Sequence, residues 1–187
     1  MVMEIQEKEE HETGKVRPAG RALALFAAVC GLAILLDQVT KEIATKTLDP
    51  YEPVKLLGGA LYLSLTRNSG AAFSMFKDST FIFPIIGLAV TAWILWMTRT
   101  LRSIPWAIGL ALVLGGALGN LIDRLFRAPS PFHGHVVDFF SLFDPHGQVF
   151  PIFNVADMAL TFGVILLVLL ELTGRQRDGS RLSKKDK

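Results

Sequence analysis

The residues best suited to chemistry in this chain are four aspartates beside long apolar runs: Asp37, Asp123, Asp138 and Asp157. Asp157 is the hardest to explain away. It sits a turn inside an apolar segment, where an ionisable group is costly and functional by default. The other three have plainer readings. Asp37 suits a helix end in the head-group layer, Asp123 an ion pair with its neighbour Arg124, and Asp138 a solvated loop. Taken with Asn120 and Asn154, the four suggest a polar pocket between helices. Two carboxyls held close together cannot both ionise cheaply, so one keeps a proton near neutral pH. The ionised member can then draw a proton from water, while the protonated member polarises a peptide carbonyl and assists the leaving amine. Asp138 and Asp157 are the pair expected to do this, one from a loop and one from the helix that follows. Their titration belongs to the pair rather than to either residue.

Other chemistries are poorly supplied. Serine hydrolysis needs a histidine base, and only His133, His135 and His146 lie near Ser69, Ser74 or Ser141, none of which stands in a nucleophile elbow. His133-Gly134-His135 is weak as a zinc signature, and no H-E-x-x-H occurs. Cys30 is the only cysteine, so no internal disulfide or Cys-based zinc site can form, and its apolar setting predicts a core-facing thiol. No metal or cofactor is expected. No basic patch with interleaved aromatics stands out, so nucleic acid is not an expected partner.

The elements that must position the acids are four apolar segments, about 22–36, 81–97, 104–122 and 155–170. Each approaches the length of about 17–25 residues that crosses the hydrocarbon, and only helices can cross it as separate segments. The first is short, and a cleaved signal peptide is its rival reading. Val29 is large for the position before a lipoprotein cleavage cysteine, however, and the run continues past Cys30 to Leu36. Pro105 falls in the first turn of the third segment, where proline is tolerated. Gly115 and Gly119 form a G-x-x-x-G pattern there that predicts close helix packing.

Basic residues crowd into the N-terminal flank (Lys15, Arg17, Arg21), the loop between spans two and three (Arg99, Arg102) and the C-terminal tail (Arg175, Arg177, Arg181, Lys184, Lys185, Lys187). With four spans these share one face, predicted to be cytoplasmic together with both termini. All four aspartates then fall at one depth, near the outer interface. The expected fold is an all-α membrane protein with four transmembrane helices and a small extracytoplasmic β-hairpin. The hairpin is expected from the alternation in Val54–Leu57 and Leu61–Thr66, split by Gly58-Gly59. Residues 1–18 and 174–187 read as polar tails, disordered or lying on the surface, the second suited to anionic lipid heads. Residues 19–173 form the spanning domain. A transporter would need polar residues along a path across the bilayer, whereas here they gather at one end. A passive scaffold accounts for the packing glycines but not for the acids.

Five blocks in order carry a resemblance: Asp37-Gln38-Val39-Thr40-Lys41, Thr66-Arg67-Asn68-Ser69-Gly70-Ala71-Ala72-Phe73-Ser74, Gly115-Gly116-Ala117-Leu118-Gly119-Asn120-Leu121-Ile122-Asp123-Arg124, His135-Val136-Val137-Asp138-Phe139, and Phe153-Asn154-Val155-Ala156-Asp157. From about Leu25 to Leu170 the chain resembles bacterial lipoprotein signal peptidase, or signal peptidase II. The resemblance implies an aspartyl endopeptidase of the bacterial inner membrane with its site at the extracytoplasmic face. Its substrate would be a prolipoprotein, cut N-terminal to a cysteine carrying diacylglycerol. It puts the catalytic pair on Asp138 and Asp157 and supporting roles on Asp37, Lys41, Asn68, Asn120, Asp123, Arg124 and Asn154. Asn68, Arg124 and Asn154 would hold the substrate backbone and lipid-bearing region. The hairpin would correspond to the family's β-cradle, and peptide antibiotics of the globomycin kind would block the site. The partners implied are the lipidated substrate and membrane lipid, and nothing demands more than a monomer. The stretches 127–132 and 143–147 look longer than the family's commonest form, which bears on substrate preference.

Overall fold

The computed structural model describes residues 19–70 and 82–182. The expected tail 1–18, the block residues Ala71, Ala72, Phe73 and Ser74, and Lys77, Phe81, Lys184, Lys185 and Lys187 lie outside the described residues. Four helices carry the chain: α1 (Ala19–Thr47), α2 (Ile82–Met97), α3 (Ile104–Phe126) and α4 (Val155–Leu172). All four are long and apolar enough to cross a membrane. Their exposed faces carry large apolar side chains, such as Leu35 and Ile43 on α1, Ile85 and Trp93 on α2, and Phe162 and Leu169 on α4. In water such faces would be a liability; in a bilayer lipid covers them.

The first helix differs from expectation. An apolar run ending at Leu36 suggested a short span closed by Asp37, but α1 continues as one helix of 29 residues to Thr47. Asp37 is therefore mid-helix rather than a helix end. The helix continues with Lys41 paired inside the protein, as described below, and with Glu42 and Lys46 forming an exposed pair one turn apart.

α3 is the most buried helix and packs against the other three. Its glycines explain how. A side chain on Gly115 would meet Ala33 and the Cys30 carbonyl of α1, and one on Gly116 would meet the Ala156 carbonyl and Leu160 of α4. Successive glycines thus open opposite sides of α3 to two backbones. At the far end, Phe26 and Cys30 of α1, Ile94 and Met97 of α2, and Trp106 and Leu110 of α3 form one apolar core.

Three strands make a small antiparallel sheet in the order β1 (Val54–Leu56), β2 (Leu61–Asn68) and β3 (Val136–Leu142). The β1–β2 hairpin is the one expected, and its turn uses Gly58 and Gly59 at φ 68° and 103°, which L side chains rarely adopt. The third strand was not expected. Val136-Val137-Asp138-Phe139-Phe140 read as a loop, yet it pairs with β2, Thr66 opposite Asp138 and Asn68 opposite Val136. Five residues are too few to show a period by themselves; the partner strand, some seventy positions earlier, supplies the ladder. Val137 and Phe139 pack with Ala44 of α1 and Leu65 of β2 in a second apolar cluster, which seats the sheet on the end of α1.

The described part of the chain end takes the second of the two expected forms, lying on the surface. Residues 174–182, read as the start of a polar tail, fold back, with Leu182 N–H donating to the Gly174 carbonyl at 2.9 Å.

Because Gly116 faces backbone, Gly116→Val should separate α3 from α4 and destabilise the fold by about 2 kcal/mol or more. Gly31→Ala, with no neighbour within 4 Å, should be neutral or mildly stabilising. Thermal unfolding of the two detergent-solubilised variants measures the contrast, and similar losses in both would contradict this account of the packing.

Candidate active site

All nine residues singled out from the sequence meet at one end of the bundle. Three structural devices bring them together. Asp37 and Lys41 are four apart on α1 and so share a helical face; at the end of α3 the same spacing aligns Asn120 with Arg124 and Asp123 with the capping residue Arg127. Asp138 and Asn68 are diagonal neighbours on adjacent strands. Asn154 caps α4, and Asp157 stands at the third position of its first turn.

The foundation is a chain of buried charges. Lys41 Nζ lies 2.8 Å from Asp37 Oδ2 and 2.8 Å from Asp123 Oδ2, with all three side chains fully buried. Asp123 Oδ1 accepts from Arg127 Nε at 2.6 Å. Two acids and two bases alternate, so the buried charge sums to zero. The remaining acceptor capacity is filled. Asp37 Oδ1 accepts from the Ala156 backbone N–H at 2.9 Å, Asp123 Oδ2 from that of Val137 at 3.2 Å, and Gln38 Nε2 donates to Asp37 at 3.0 Å and to the Gly119 carbonyl at 3.0 Å. The network ties α1, α3, β3 and α4 to one another. It also corrects one expectation: Asp123 is paired with Lys41 and Arg127, not with the adjacent Arg124. Consecutive helical residues point about 100° apart, so the neighbour in sequence is the wrong neighbour in space.

Upon this foundation three asparagine amides are oriented. Lys41 Nζ, which can only donate, gives its third hydrogen bond to Asn120 Oδ1 at 2.9 Å, and Asn120 Nδ2 must then point at Asp157 Oδ1, 2.8 Å away. Asn154 Oδ1 accepts from the Asp157 backbone N–H at 3.0 Å, leaving its Nδ2 to donate to Asp138 Oδ1 at 2.6 Å. Asn68 Oδ1 accepts from the Gly70 backbone N–H at 2.7 Å, leaving its Nδ2 for Asp138 Oδ2 at 3.0 Å. In each amide a fixed donor occupies the carbonyl side, and the NH2 side faces a carboxyl. Asp157 Oδ2 completes the capping box by accepting from the Asn154 backbone N–H at 3.1 Å.

Asp138, expected on a solvated loop, is only 2% exposed on β3. Its carboxyl is pushed up to about 6, chiefly by burial and also by the nearby Asp157 charge, against the lowering effect of the Asn68 and Asn154 hydrogen bonds.

Asp138, Asp157, Asn68, Asn120 and Arg124 line one cavity of about 350 Å³. Its remaining wall is apolar and comes largely from Phe83, Ile86 and Val90 of α2, and Leu121 and Leu160 opposite. Arg124 is nearly buried, with its guanidinium carbon 4.7 Å from the centre of the Phe83 ring and Nη1 donating to the Gly134 carbonyl at 3.4 Å. A polar mouth with an apolar wall suits a peptide that is greasy along its length and polar at one point.

Sequence reasoning missed Gln38, Arg127 and Phe83. Arg127 had a signal, standing four residues after Asp123. Phe83 had none, because only packing brings α2 over Arg124.

The fold and site define a polytopic membrane protein of four helices whose acids and amides converge on a pocket at one end. The chain belongs to the signal peptidase II family: the family model described as signal peptidase (SPase) II matches residues 29–173. It is 45% identical over 172 residues to a lipoprotein signal peptidase of Mycobacterium avium, covering 90% of this chain and 92% of that one. A lipoprotein signal peptidase of Rhodococcus jostii is 47% identical over 161 residues, with 86% and 78% covered. Two solved bacterial membrane enzymes share the fold at TM-score 0.70, one 29% identical and covering 84% of this chain and 96% of its own, the other 27% identical and covering 92% and 100%.

Lys41→Met should leave Asp37 and Asp123 buried without their shared cation and cost about 3–5 kcal/mol. Thermal unfolding in detergent measures it. A loss no larger than that of the exposed Lys46→Met would show that the buried network does not hold the helices.

Proposed function

We propose that Asp138 and Asp157 are the catalytic pair of an aspartyl endopeptidase that cuts diacylglyceryl-modified prolipoproteins on the N-terminal side of the lipid-bearing cysteine. Membership of the signal peptidase II family makes the chain a multi-pass bacterial membrane peptidase that removes signal peptides from lipoproteins. The catalytic type, the cleavage position and the residue roles go further than that. The observation that carries them is Asn154. Its side chain donates to Asp138 while its backbone donates to Asp157, so one residue holds both carboxyls at the edge of one cavity.

The reaction follows from that geometry. The pair binds one proton. The ionised carboxylate takes a proton from a water molecule as that water attacks the scissile carbonyl carbon. The protonated carboxyl donates a hydrogen bond to the carbonyl oxygen, where negative charge develops. Collapse of the tetrahedral intermediate breaks the C–N bond, and the amine nitrogen leaves with a proton supplied by the pair. No covalent link to the enzyme is formed. Asn68 and Asn154 hold Asp138, Asn120 holds Asp157, and Arg124 faces the cavity as a fixed positive charge. The apolar wall between α2, α3 and α4 receives the signal peptide, and the polar end receives the segment around the cysteine.

In the bilayer we place this end at the extracytoplasmic face of the inner membrane, with both termini cytoplasmic. The diacylglycerol of the substrate keeps its cysteine at that interface, and a pocket open to the interface admits the water that lipid excludes. The sheet lies beside the pocket as the surface over which the lipid-bearing cysteine passes. A single chain contains the whole constellation, consistent with a monomer.

Asp138→Asn and Asp157→Asn should each lower turnover of a lipidated precursor at least about 10³-fold while the protein stays folded. A gel-shift cleavage assay checks this, and near-normal turnover by either variant would remove the mechanism. Zinc chelators should leave the wild type unaffected.

The raised carboxyl of Asp138 gives two pH effects. The pair loses its shared proton as pH rises through about 6, so kcat/KM should fall along an alkaline limb there. The limb for kcat should lie higher, because bound substrate dries the cavity further. Stability runs in the same direction. The folded carboxyl holds its proton more tightly than the unfolded one, whose value is 3.8, so its contribution is full below that pH and disappears as pH passes about 6. The change is on the order of 3 kcal/mol. Thermal melts across this range should slope downward for the wild type and lose most of that slope in Asp138→Asn.

A further inference from the structure

The end of the bundle opposite the acids carries a second arrangement, unconnected with peptide cleavage. The chain leaves α4, turns at Thr173 and Gly174, and folds into a short hairpin in which Arg175 bridges Arg181. Gln176 N–H donates to the Ser180 carbonyl at 2.9 Å, which closes the hairpin. It is docked on the start of α3 through its backbone. Trp106 Nε1 donates to the Arg175 carbonyl at 2.8 Å, and the Arg177 carbonyl accepts from both the Arg102 and Ser103 N–H groups at 2.9 Å. The docking uses carbonyls and leaves the guanidinium groups free for something else.

The charge there is of one kind. Arg21 of α1, Arg99 and Arg102 of the α2–α3 connection, and Arg175, Arg177 and Arg181 of the hairpin gather at this end. Among the described residues none of these six is within ion-pair distance of a carboxylate. The nearby acids are fewer than the bases: Asp178, which accepts from the Ser180 N–H at 2.8 Å and hydroxyl at 2.7 Å, lies within Coulombic reach of Arg102 without forming an ion pair, and Glu171 is the other. The described bases at this end are all arginine, and Lys184, Lys185 and Lys187 follow them in the sequence. Arginine presents a planar fork that matches two oxygens of a phosphate, whereas lysine acts as a point charge.

A separate observation sets the depth. Trp93 and Trp96, 59% and 57% exposed, stand on α2 six and three residues before Arg99. Exposed indoles on a spanning helix mark the membrane–water interface. The arginines follow immediately beyond them, at the level of the lipid phosphates.

We propose that the folded C-terminal hairpin and the α2–α3 connection form a binding surface for the phosphate head groups of anionic phospholipids. Arg102, Arg175 and Arg177 lie at its centre, where hairpin and helix meet. The hairpin is thus a structural part of the membrane anchor rather than a loose tail, and its docking on the start of α3 holds the backbones of Arg102, Arg175 and Arg177 beside one another. A basic residue near an anionic bilayer surface is worth roughly a five-fold change in association.

The full chain, purified in detergent, tests this with mixed micelles containing phosphatidylglycerol or phosphatidylcholine. Phosphatidylglycerol should raise the melting temperature by about 5 °C more than phosphatidylcholine does, and native mass spectrometry should retain it in preference. Arg102→Gln/Arg175→Gln/Arg177→Gln changes two exposed side chains and one half-buried one, none in an ion pair among the described residues, so its melting temperature without added lipid should stay near the wild-type value. The triple variant should lose most of the phosphatidylglycerol-specific rise and retention. The corresponding triple lysine variant should keep only part of both. Equal responses to the two lipids, or an undiminished response in the glutamine variant, would overturn the proposal. A full response in the lysine variant would refute the role of the guanidinium fork. The same rise with sodium phosphate alone would replace a lipid surface by a free-anion site. Cleavage activity does not enter the readout, so the result is independent of the catalytic reading.

Discussion

A lysine ammonium buried between two carboxylates is the constraint around which this molecule is arranged. Lys41, Asp37 and Asp123 have no exposed side-chain surface, and charges so placed are tolerable only when each is paired and every remaining lone pair is met. Meeting those demands recruits Arg127 from just past the end of α3, Gln38 from α1, and backbone N–H groups from β3 and α4. Four elements are thereby fixed in relation to one another at the point where their positions matter. The apolar faces alone would not fix them so. Leucine against leucine in lipid is nearly indifferent to register, whereas a carboxylate is not indifferent to the position of its donor.

The same lysine reaches the proposed catalytic pair without touching it. Being a pure donor, it fixes which way the Asn120 amide faces, and thereby which atom Asp157 meets. Asn154 and Asn68 are fixed in the same manner by backbone donors. The acids are thus held by groups whose own orientation is determined, so little reorganisation is needed when charge moves during a reaction. This rigidity has a thermodynamic counterpart. Asp138 is buried where its charged form is disfavoured, and that same burial keeps a proton available near neutral pH.

The two ends of the bundle divide the work. At one, charge is buried, paired and neutral in sum, which suits chemistry on a bound segment. At the other, the described arginines form no ion pair among the described residues, and the proposed lipid surface draws on that positive charge. Between them, α3 brings the other helices close through glycines, so the spans hold the two ends in one packed body.

Much of this was legible in the residues. Four apolar stretches with no water-compatible alternative determine four helices, because the hydrocarbon admits no other separate span. The Gly58-Gly59 break between alternating runs determines a hairpin. Asn120, Asp123, Asn154 and Asp157 cluster at one end because each lies near the close or the opening of a span. Tertiary structure decided the rest. That α1 passes through Asp37 instead of stopping there, that Asp123 pairs with Lys41 and Arg127 rather than with Arg124, and that Asp138 lies on a strand all depend on partners remote in the chain. The directions of three amides depend on them as well. Local pattern carries the cost of burying a group; only the assembled fold determines which neighbour offsets that cost, because hydrogen bonds and ion pairs are satisfied in space and not along the sequence.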